Sequence, residues 1–168
     1  MKEFEVNVYI TVELKGLRSE FGYYACTLEY MKKDGQAAMK EVSGREKNAT
    51  RNMLESLALY RALNMLEKPC SVNVFADSGY LAGAVNSKWL ENWEKADWKN
   101  AHGKPVKNAD IWLEVSKCMK PHHVQVLSRK QHKYTGNQEK EIRARIQAEE
   151  RRDREEEGFL NSLYGLYV

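Results

Sequence analysis

Two acidic residues stand where a folded chain could use them for chemistry. Asp77 directly follows an apolar run, SVNVFA (71–76), and precedes Ser78 at the start of a helix-like segment. Glu55 lies in an amphipathic helical segment, close to its apolar stripe. If the fold brings the two carboxylates together, they repel each other unless a cation lies between them, and Mg²⁺ or Mn²⁺ is the usual one. Each acid also has an ordinary interpretation, Asp77 as a helix N-cap and Glu55 as a partly exposed helix residue.

The elements that must position these acids follow from the spacing of apolar residues. Alternating apolar residues and a Lys33-Asp34-Gly35 hairpin signal predict an antiparallel meander at the N-terminus, and the later segments alternate between helix and strand. This order indicates an α/β fold with a five-stranded mixed sheet flanked by helices, and Asp77 is then expected at the carboxyl end of a central strand. Strands are predicted at 4–14, 21–31, 36–42, 71–76 and 124–127, and helices at 49–68, 79–86, 88–95, 107–119 and from about Asn137.

Composition limits the class of protein. With 168 residues, of which 42% are hydrophobic, the chain suits one globular domain with a core. Its longest apolar runs are far shorter than the roughly 20 residues that span a bilayer. The first ten residues alternate as a strand rather than resembling a signal peptide, so we expect a cytoplasmic protein. The three cysteines, Cys26, Cys70 and Cys118, are widely spaced and are expected to be reduced thiols.

Positive charge and tryptophan are concentrated in one segment. Between Lys88 and Lys133 the sequence has ten Lys or Arg residues against five acids, and all four tryptophans lie between Trp89 and Trp112. Basic residues mixed with aromatic rings are typical of a nucleic-acid-binding surface, because cations neutralise phosphates and flat rings pack on bases or sugars. The alternative is a solvated helix face whose tryptophans belong to the core.

The C-terminal residues differ in composition from the rest. We expect a globular domain over 1–148, followed by a charged helix extension and an apolar tail over 149–168. The extension, EERRDREEE (149–157), has the mixed charge of a solvated helix face. The tail, GFLNSLYGLYV (158–168), is aromatic and apolar, and we expect it either to fold back on the domain or to cover a second copy of the chain.

Four segments together carry a family resemblance. KWLENWEKADWKNAHGKPVKNADIWLEV (88–115) has paired tryptophans, a WK step and the pattern KPVKNxDxW. ATRNMLESLALYRAL (49–63), FADSGY (75–80) and SRKQHKYTGNQEKE (128–141) follow the patterns TNNRxELxALxxAL, TDSxY and VKGHxxxxGNExAD. Over roughly residues 4–148 the chain resembles ribonuclease H, specifically the bacterial type 1 enzyme with a basic protrusion. The resemblance implies a ribonuclease H-like fold and hydrolysis of the RNA strand of RNA/DNA hybrids with Mg²⁺ or Mn²⁺.

The resemblance also assigns roles to individual residues. It implies that Glu55, Asp77 and Glu141 bind the metal ions and that His132 completes the catalytic set by assisting water or product movement. Hydroxyl, amide, guanidinium and ammonium groups in the matched motifs, together with one tryptophan, would contact the hybrid. These residues are Thr50, Arg51, Asn52, Ser78, Lys88, Trp89, Lys95, Lys99, Lys104 and Lys107.

The first strand departs from the family pattern. Where the family has an Asp followed by Gly, this chain has VNVYITVELKG, which aligns Thr11 with that Asp, or Val12 if the register slips by one. Glu13 lies two residues beyond Thr11 on the same face of the strand, and could only partly reach back. Three functions therefore remain open: a metal-dependent nuclease, a catalytically inactive binder of RNA/DNA hybrid or duplex, and an interaction module that uses the tail.

Overall fold

The computed structural model describes residues 4–165, which form one mixed β-sheet with helices on both faces. Within that range no helix is both long enough and apolar enough to cross a membrane. The strands are β1 (Phe4–Glu13), β2 (Arg18–Met31), β3 (Ala37–Thr50), β4 (Cys70–Ala76) and β5 (His123–Ser128), and the helices are α1 (Arg51–Leu63), α2 (Gly79–Asn86), α3 (Trp89–Lys95), α4 (Ala109–Met119) and α5 (Thr135–Gly165).

The sheet has the order β3-β2-β1-β4-β5, which confirms the predicted α/β fold with a five-stranded mixed sheet. The first three strands are antiparallel neighbours, whereas β4 runs parallel to both β1 and β5. The two central strands, β1 and β4, therefore end at the same edge of the sheet. Tyr9 pairs with Phe75, so the same register carried two residues further places Thr11 beside Asp77.

The two faces of β1 serve different parts of the molecule. Val8 and Ile10 point into the main core, which α1 covers with Leu54, Ala58 and other fully buried residues. Residues of opposite parity point to the other face, because side chains alternate along a strand. On that face α5 packs against β1 and β2 through its buried residues Gln138 and Ile142. The carboxyl end of β1 is thus enclosed between α1 and α5.

The first turn of α1 lies very close to the sheet at Gly22. A Cβ atom on this residue would lie 2.6 Å from Ala49 Cβ and 2.7 Å from Leu54 Cδ1, distances that real Cβ atoms do not show. Only glycine lets α1 approach β2 this closely. This close approach fixes the position of the α1 N-terminus, where Arg51 and Glu55 lie.

Some element boundaries differ from those predicted. β3 extends to Thr50 rather than ending near residue 42, and its side chains are mostly exposed. It is an edge strand that pairs with β2 along its whole length, so backbone hydrogen bonds form it without an apolar pattern. α1 ends at Leu63, five residues before the predicted end, and two short turn bonds close it.

The expectation that the C-terminal tail folds back on the domain is wrong for the described residues. α5 is one helix of 31 residues, and every position from 150 to 165 is exposed. Phe159 and Tyr164 show 63% and 71% of their surface. Residues 166–168, the end of the tail, lie outside the described range.

Candidate active site

A small cavity of about 130 Å³ opens at the carboxyl ends of β1 and β4. Its wall combines three acids, three cations, a histidine and residues near the end of β1, and it includes three of the four predicted catalytic residues, Glu55, Asp77 and His132. The lining residues are Ile10, Thr11, Val12, Arg51, Glu55, Asp77, Arg129, Lys130, His132, Thr135 and Glu139.

Asp77 and Glu55 meet in this cavity, as the sequence predicted. Asp77 follows the last residue of β4, and Glu55 projects from α1 with only 2% of its surface exposed. The interpretation of Asp77 as a helix cap is wrong, because the hydroxyl of Ser78 caps α2 by accepting hydrogen bonds from the backbone N–H groups of Tyr80 and Leu81. The Asp77 carboxylate does not cap the helix and lies in the cavity wall, with 44% of its side-chain surface exposed.

Arg51 lies between the two carboxylates. Its Nη1 atom is 3.8 Å from Glu55 Oε1 and also 3.8 Å from Asp77 Oδ2. Both distances are too long for hydrogen bonds and describe ion pairs. One guanidinium group therefore supplies the counter-charge for both acids.

Burial has a large effect on Glu55. Loss of solvent raises the pKa of its carboxyl group to about 7, with a smaller contribution from the negative charge of Asp77. Hydrogen bonding from Ser78 and the charge of Arg51 act in the opposite direction but do not outweigh burial. Glu55 Oε2 is buried without a hydrogen-bond partner among the described residues. This oxygen needs a proton or a cation.

The position beside Asp77 is occupied by Thr11, because Val12 is buried in the main core. The Thr11 hydroxyl donates a 2.6 Å hydrogen bond to Gln138 Oε1. Gln138 Nε2 in turn donates to the carbonyl of Tyr9 at 3.0 Å and to Thr27 Oγ1 at 2.9 Å. A neutral, hydrogen-bonded network thus fills the position where a carboxylate would be needed.

His132 is at the cavity, but its ring is held by other groups. Nδ1 accepts from the backbone N–H of Tyr134 at 3.2 Å, so the proton of the neutral ring is on Nε2. That nitrogen donates to the carbonyl of Ile10 at 3.1 Å, and the ring packs against Tyr9 with centroids 5.2 Å apart. Burial lowers the pKa of the imidazole below its ordinary value, although the bond to Ile10 opposes the shift. The His132 ring thus joins the loop after β5 to β1.

Glu141 does not line the cavity, and Glu139 lies there instead. The buried side of α5 is marked by Gln138 and Ile142. At 100° per residue, Glu139 and Glu141 project on opposite flanks of that line. Glu141 accordingly lines a separate depression with Tyr23 and other residues of β2 and β3. The cavity and Glu141 therefore lie on different flanks of α5, and the structure places Glu139 rather than Glu141 in the cavity wall.

Glu13 is also directed elsewhere. It lines a neighbouring groove of about 690 Å³ between the β1–β2 turn and α5, and does not line the small cavity. Its carboxylate lies 4.0 Å from Arg143, which also pairs with Glu139 at 3.3 Å. The geometry gives no support to Glu13 as a replacement for the first-strand carboxylate.

These contacts test whether the site suits the divalent ions that the family resemblance implies. Within residues 4–165, no three His, Cys, Asp or Glu side chains come together in a way that could hold a metal ion. Glu55 and Asp77 share Arg51, Glu139 pairs with Arg143, and the position beside Asp77 is a neutral threonine. The unpartnered Glu55 Oε2 is one available ligand atom, whereas hard divalent ions need several. The residues present do not fit the two-ion arrangement.

The predicted nucleic-acid contacts fall into two groups. Thr50 and Ser78 are helix caps, and the Thr50 hydroxyl accepts from the backbone N–H of Met53 at 3.3 Å. Asn52 is half-buried in the first turn of α1, next to Arg51. The five lysines that were predicted to contact the hybrid are exposed, and no ion pair in the described part of the chain involves them. They are Lys88, Lys95, Lys99, Lys104 and Lys107.

The tryptophans of the basic segment are mainly core residues. Trp112 is fully buried, and its indole N–H donates to the hydroxyl of Tyr80 at 3.3 Å. Trp93 and Trp89 complete the aromatic cluster around Tyr80, with ring centroids about 6 Å from it. Trp89 also packs on Gly83, yet leaves 38% of its surface exposed. The rings join α2, α3 and α4, and of these three tryptophans only Trp89 has an exposed large surface.

Sequence reasoning missed several groups of this site. Arg129 and Lys130 line the cavity, but the motif comparison placed only His132 and Glu141 in this part of the chain. Gln138 was missed because a buried polar residue gives no apolar signal. Arg51 was predicted only as a contact to the hybrid, and its pairing with the two acids was not foreseen, although its replacement of the first Asn of the TNNR pattern was a visible signal.

Comparisons with known proteins identify the family of this chain. A sequence model described as RNase H matches residues 16–149. A ribonuclease H of Clostridium botulinum is 36% identical over 117 residues, which are 70% of this chain and 75% of that protein.

Two solved structures are similar in fold. LC9-RNase H1, described as a type 1 RNase H with the type 2 active-site motif, has a TM-score of 0.64 at 22% identity, over 79% of this chain and 66% of that one. A foamy viral protease-reverse transcriptase in complex with RNA/DNA hybrid has a TM-score of 0.55 at 15% identity, over 82% of this chain and 18% of that one.

Proposed function

Because this chain belongs to the RNase H family, we propose that it binds RNA/DNA hybrids or related nucleic-acid duplexes and does not hydrolyse them by the family's metal-dependent route. It is a ribonuclease H-like protein, and family members generally use a divalent metal. The observation that carries the proposal is Thr11, whose neutral side chain stands beside Asp77 and is bonded to Gln138.

Nucleic-acid binding is supported by features other than the altered site. The exposed lysines of the basic segment are suited to phosphate contacts, which dominate the affinity of such proteins. The foamy viral enzyme, which shares the fold, is described in complex with RNA/DNA hybrid. The exposed face of Trp89 offers a flat surface near Lys88.

A second candidate is a slow metal-dependent nuclease. One observation favours it: Glu55 and Asp77 lie together in one cavity, and Glu55 Oε2 has no hydrogen-bond partner among the described residues. Mg²⁺ or Mn²⁺ would then have to displace Arg51 from both acids. The proposal of a binder does not need this displacement.

One assay separates the two functions. A labelled RNA/DNA hybrid is incubated with the wild type and with Asp77→Asn, in Mg²⁺ and in Mn²⁺, and both binding and cleavage are measured. We expect both proteins to bind the hybrid in a salt-sensitive manner. We expect the wild type to show no cleavage that depends on Asp77. Cleavage by the wild type that Asp77→Asn abolishes would establish the nuclease. Absence of binding to hybrid and duplex at low salt would contradict both functions.

We further propose that the protein is cytoplasmic and that residues 149–168 form an extension of the nuclease-like domain. We also propose that this extension associates with a second copy of the chain. The exposed apolar side chains near the end of α5 support the association. They are Phe159, Leu160, Leu163 and Tyr164.

Truncation after residue 150 tests the self-association. We expect the full chain to show a mass above that of one copy in light scattering, and the truncated chain to be monomeric with an unchanged melting temperature, because the removed residues are exposed. Substituting Arg152→Ala in the full chain is the control, since it leaves the apolar side chains in place. Equal masses for the full and truncated chains would contradict the proposal.

A further inference from the structure

Arg51 lies where two openings meet. It lines the small cavity together with Glu55 and Asp77, and it also lines the larger groove beside α5. Its side chain is 45% exposed. A guanidinium has five N–H donors, and the ion pairs with both acids involve a single nitrogen, Nη1. The remaining donors are therefore available to a group that enters from the groove.

Two other cations line the same cavity. Arg129 and Lys130 follow β5 and are exposed, and within residues 4–165 no ion pair involves either of them. Each acid of the cavity already pairs with another cation, Glu55 and Asp77 with Arg51 and Glu139 with Arg143. The charges of Arg129 and Lys130 are thus left for an anionic ligand.

We propose that the Arg51 guanidinium replaces the divalent cation as the counter-charge of Glu55 and Asp77, and that with Arg129 and Lys130 it binds a backbone phosphate of the nucleic acid directly. This inference rests on the proposed function and names how the site holds its ligand. It follows that the protein binds nucleic acid without divalent ions.

The chemistry of arginine suits this role. Its planar group presents paired N–H donors that match two oxygens of a phosphate, and it stays charged at every physiological pH. A bound divalent ion would face the positive charge of Arg51 a few ångströms away, and the two positive charges would repel each other. Arg51 therefore does two things at once: it stabilises the acid pair and it excludes a competing cation.

The test compares affinity for a labelled RNA/DNA hybrid in EDTA and in Mg²⁺ at matched ionic strength. We expect the wild type to bind equally in both. Arg51→Asn should lose about tenfold or more in EDTA, the scale of one charge-assisted hydrogen bond, and regain affinity in Mg²⁺, since two uncompensated carboxylates can then hold an ion. The control is Arg152→Asn, which removes the same charge from the exposed part of α5 and should remain independent of Mg²⁺. Mg²⁺-dependent binding by the wild type, or equal behaviour of the two variants, would overturn the inference.

A second measurement keeps the inference separate from the proposed function. If the wild type binds no nucleic acid at all, the proposed function fails, and the melting temperature still tests Arg51. We expect Mn²⁺ to leave the melting temperature of the wild type unchanged and to raise that of Arg51→Asn. If Arg51→Asn does not fold, Arg51→Gln takes its place. A Mn²⁺ shift in the wild type, or none in the Arg51 variant, would overturn the replacement of the metal by Arg51.

Discussion

Replacing Thr11 by Asp together with Arg51 by Asn is expected to produce hybrid cleavage that depends on Mg²⁺ or Mn²⁺, about a hundredfold or more above the parent, a gain on the scale of one well-placed catalytic group. The new carboxylate would stand beside Asp77, as the strand register requires. Loss of Arg51 would free Glu55 and Asp77 from their present counter-charge. With Glu139, which already lines the cavity, four acids would then face it, and carboxylates are the ligands that hard divalent ions accept. The rate of cleavage of a labelled hybrid is the measurement.

The single variants are the controls for this result. The Thr11→Asp variant alone should not cleave, because Arg51 still pairs with Glu55 and Asp77. In addition, the new carboxylate cannot donate the hydrogen bond that the Thr11 hydroxyl gives to Gln138. Adding Asp77→Asn to the double variant should abolish the gained activity. A double variant that folds, binds Mn²⁺ and still does not cleave would show that Thr11 and Arg51 are not what separates this chain from a nuclease.

Glu55→Gln is expected to raise the free energy of unfolding at pH 8 by about 3 kcal/mol. The pKa of Glu55 is raised by burial from an ordinary 4.5 to about 7 in the folded protein, and each pKa unit corresponds to about 1.4 kcal/mol. Between these two values the folded state holds more protons than the unfolded chain. The stability of the wild type therefore falls as the pH rises through this window, and is constant above it. An amide avoids the buried charge at every pH.

Urea unfolding at pH 8 and at pH 4 measures this effect. The two proteins should differ at pH 8 and have similar stabilities at pH 4, where the Glu55 carboxyl is protonated in both states. Glu150→Gln, an exposed position on α5, is the matched control and should change neither value. A Glu55→Gln protein that is no more stable than the wild type at pH 8 would mean that Arg51 compensates the buried carboxylate fully.

Much of the fold could be predicted because its signals are local. Alternation of apolar residues identified β1 and β4, and their parallel pairing brings Asp77 to the sheet edge that Glu55 approaches from α1. The full length of β3 could not be predicted, since it is a polar edge strand formed by backbone pairing. A strand with an apolar pattern could be predicted from the sequence, whereas a strand that only backbone hydrogen bonds define could not.

The site was harder to predict, because it depends on helix rotation and on side-chain distances. The motif indicated Glu141. The buried side of α5 carries Gln138 and Ile142, however, and this rotation of the helix places Glu139 in the cavity wall. A buried glutamine cannot be recognised as such without knowing that Thr11 and Thr27 are there to bond it. The pairing of Arg51 with Glu55 follows from their i, i+4 spacing on a helix, but the proximity of Arg51 to Asp77 depends on how the helix packs on the strand, and no spacing reveals it.

The central claim is that an arginine takes the place of the metal. Its most direct test is a titration of the wild type with Mn²⁺, followed by electron paramagnetic resonance. The free ion gives a signal that is lost when Mn²⁺ binds. The wild type should leave the free-ion signal at the level of a buffer control, as should Asp77→Asn. Stoichiometric loss of the signal with the wild type, restored by Asp77→Asn, would contradict the account and identify a working metal site.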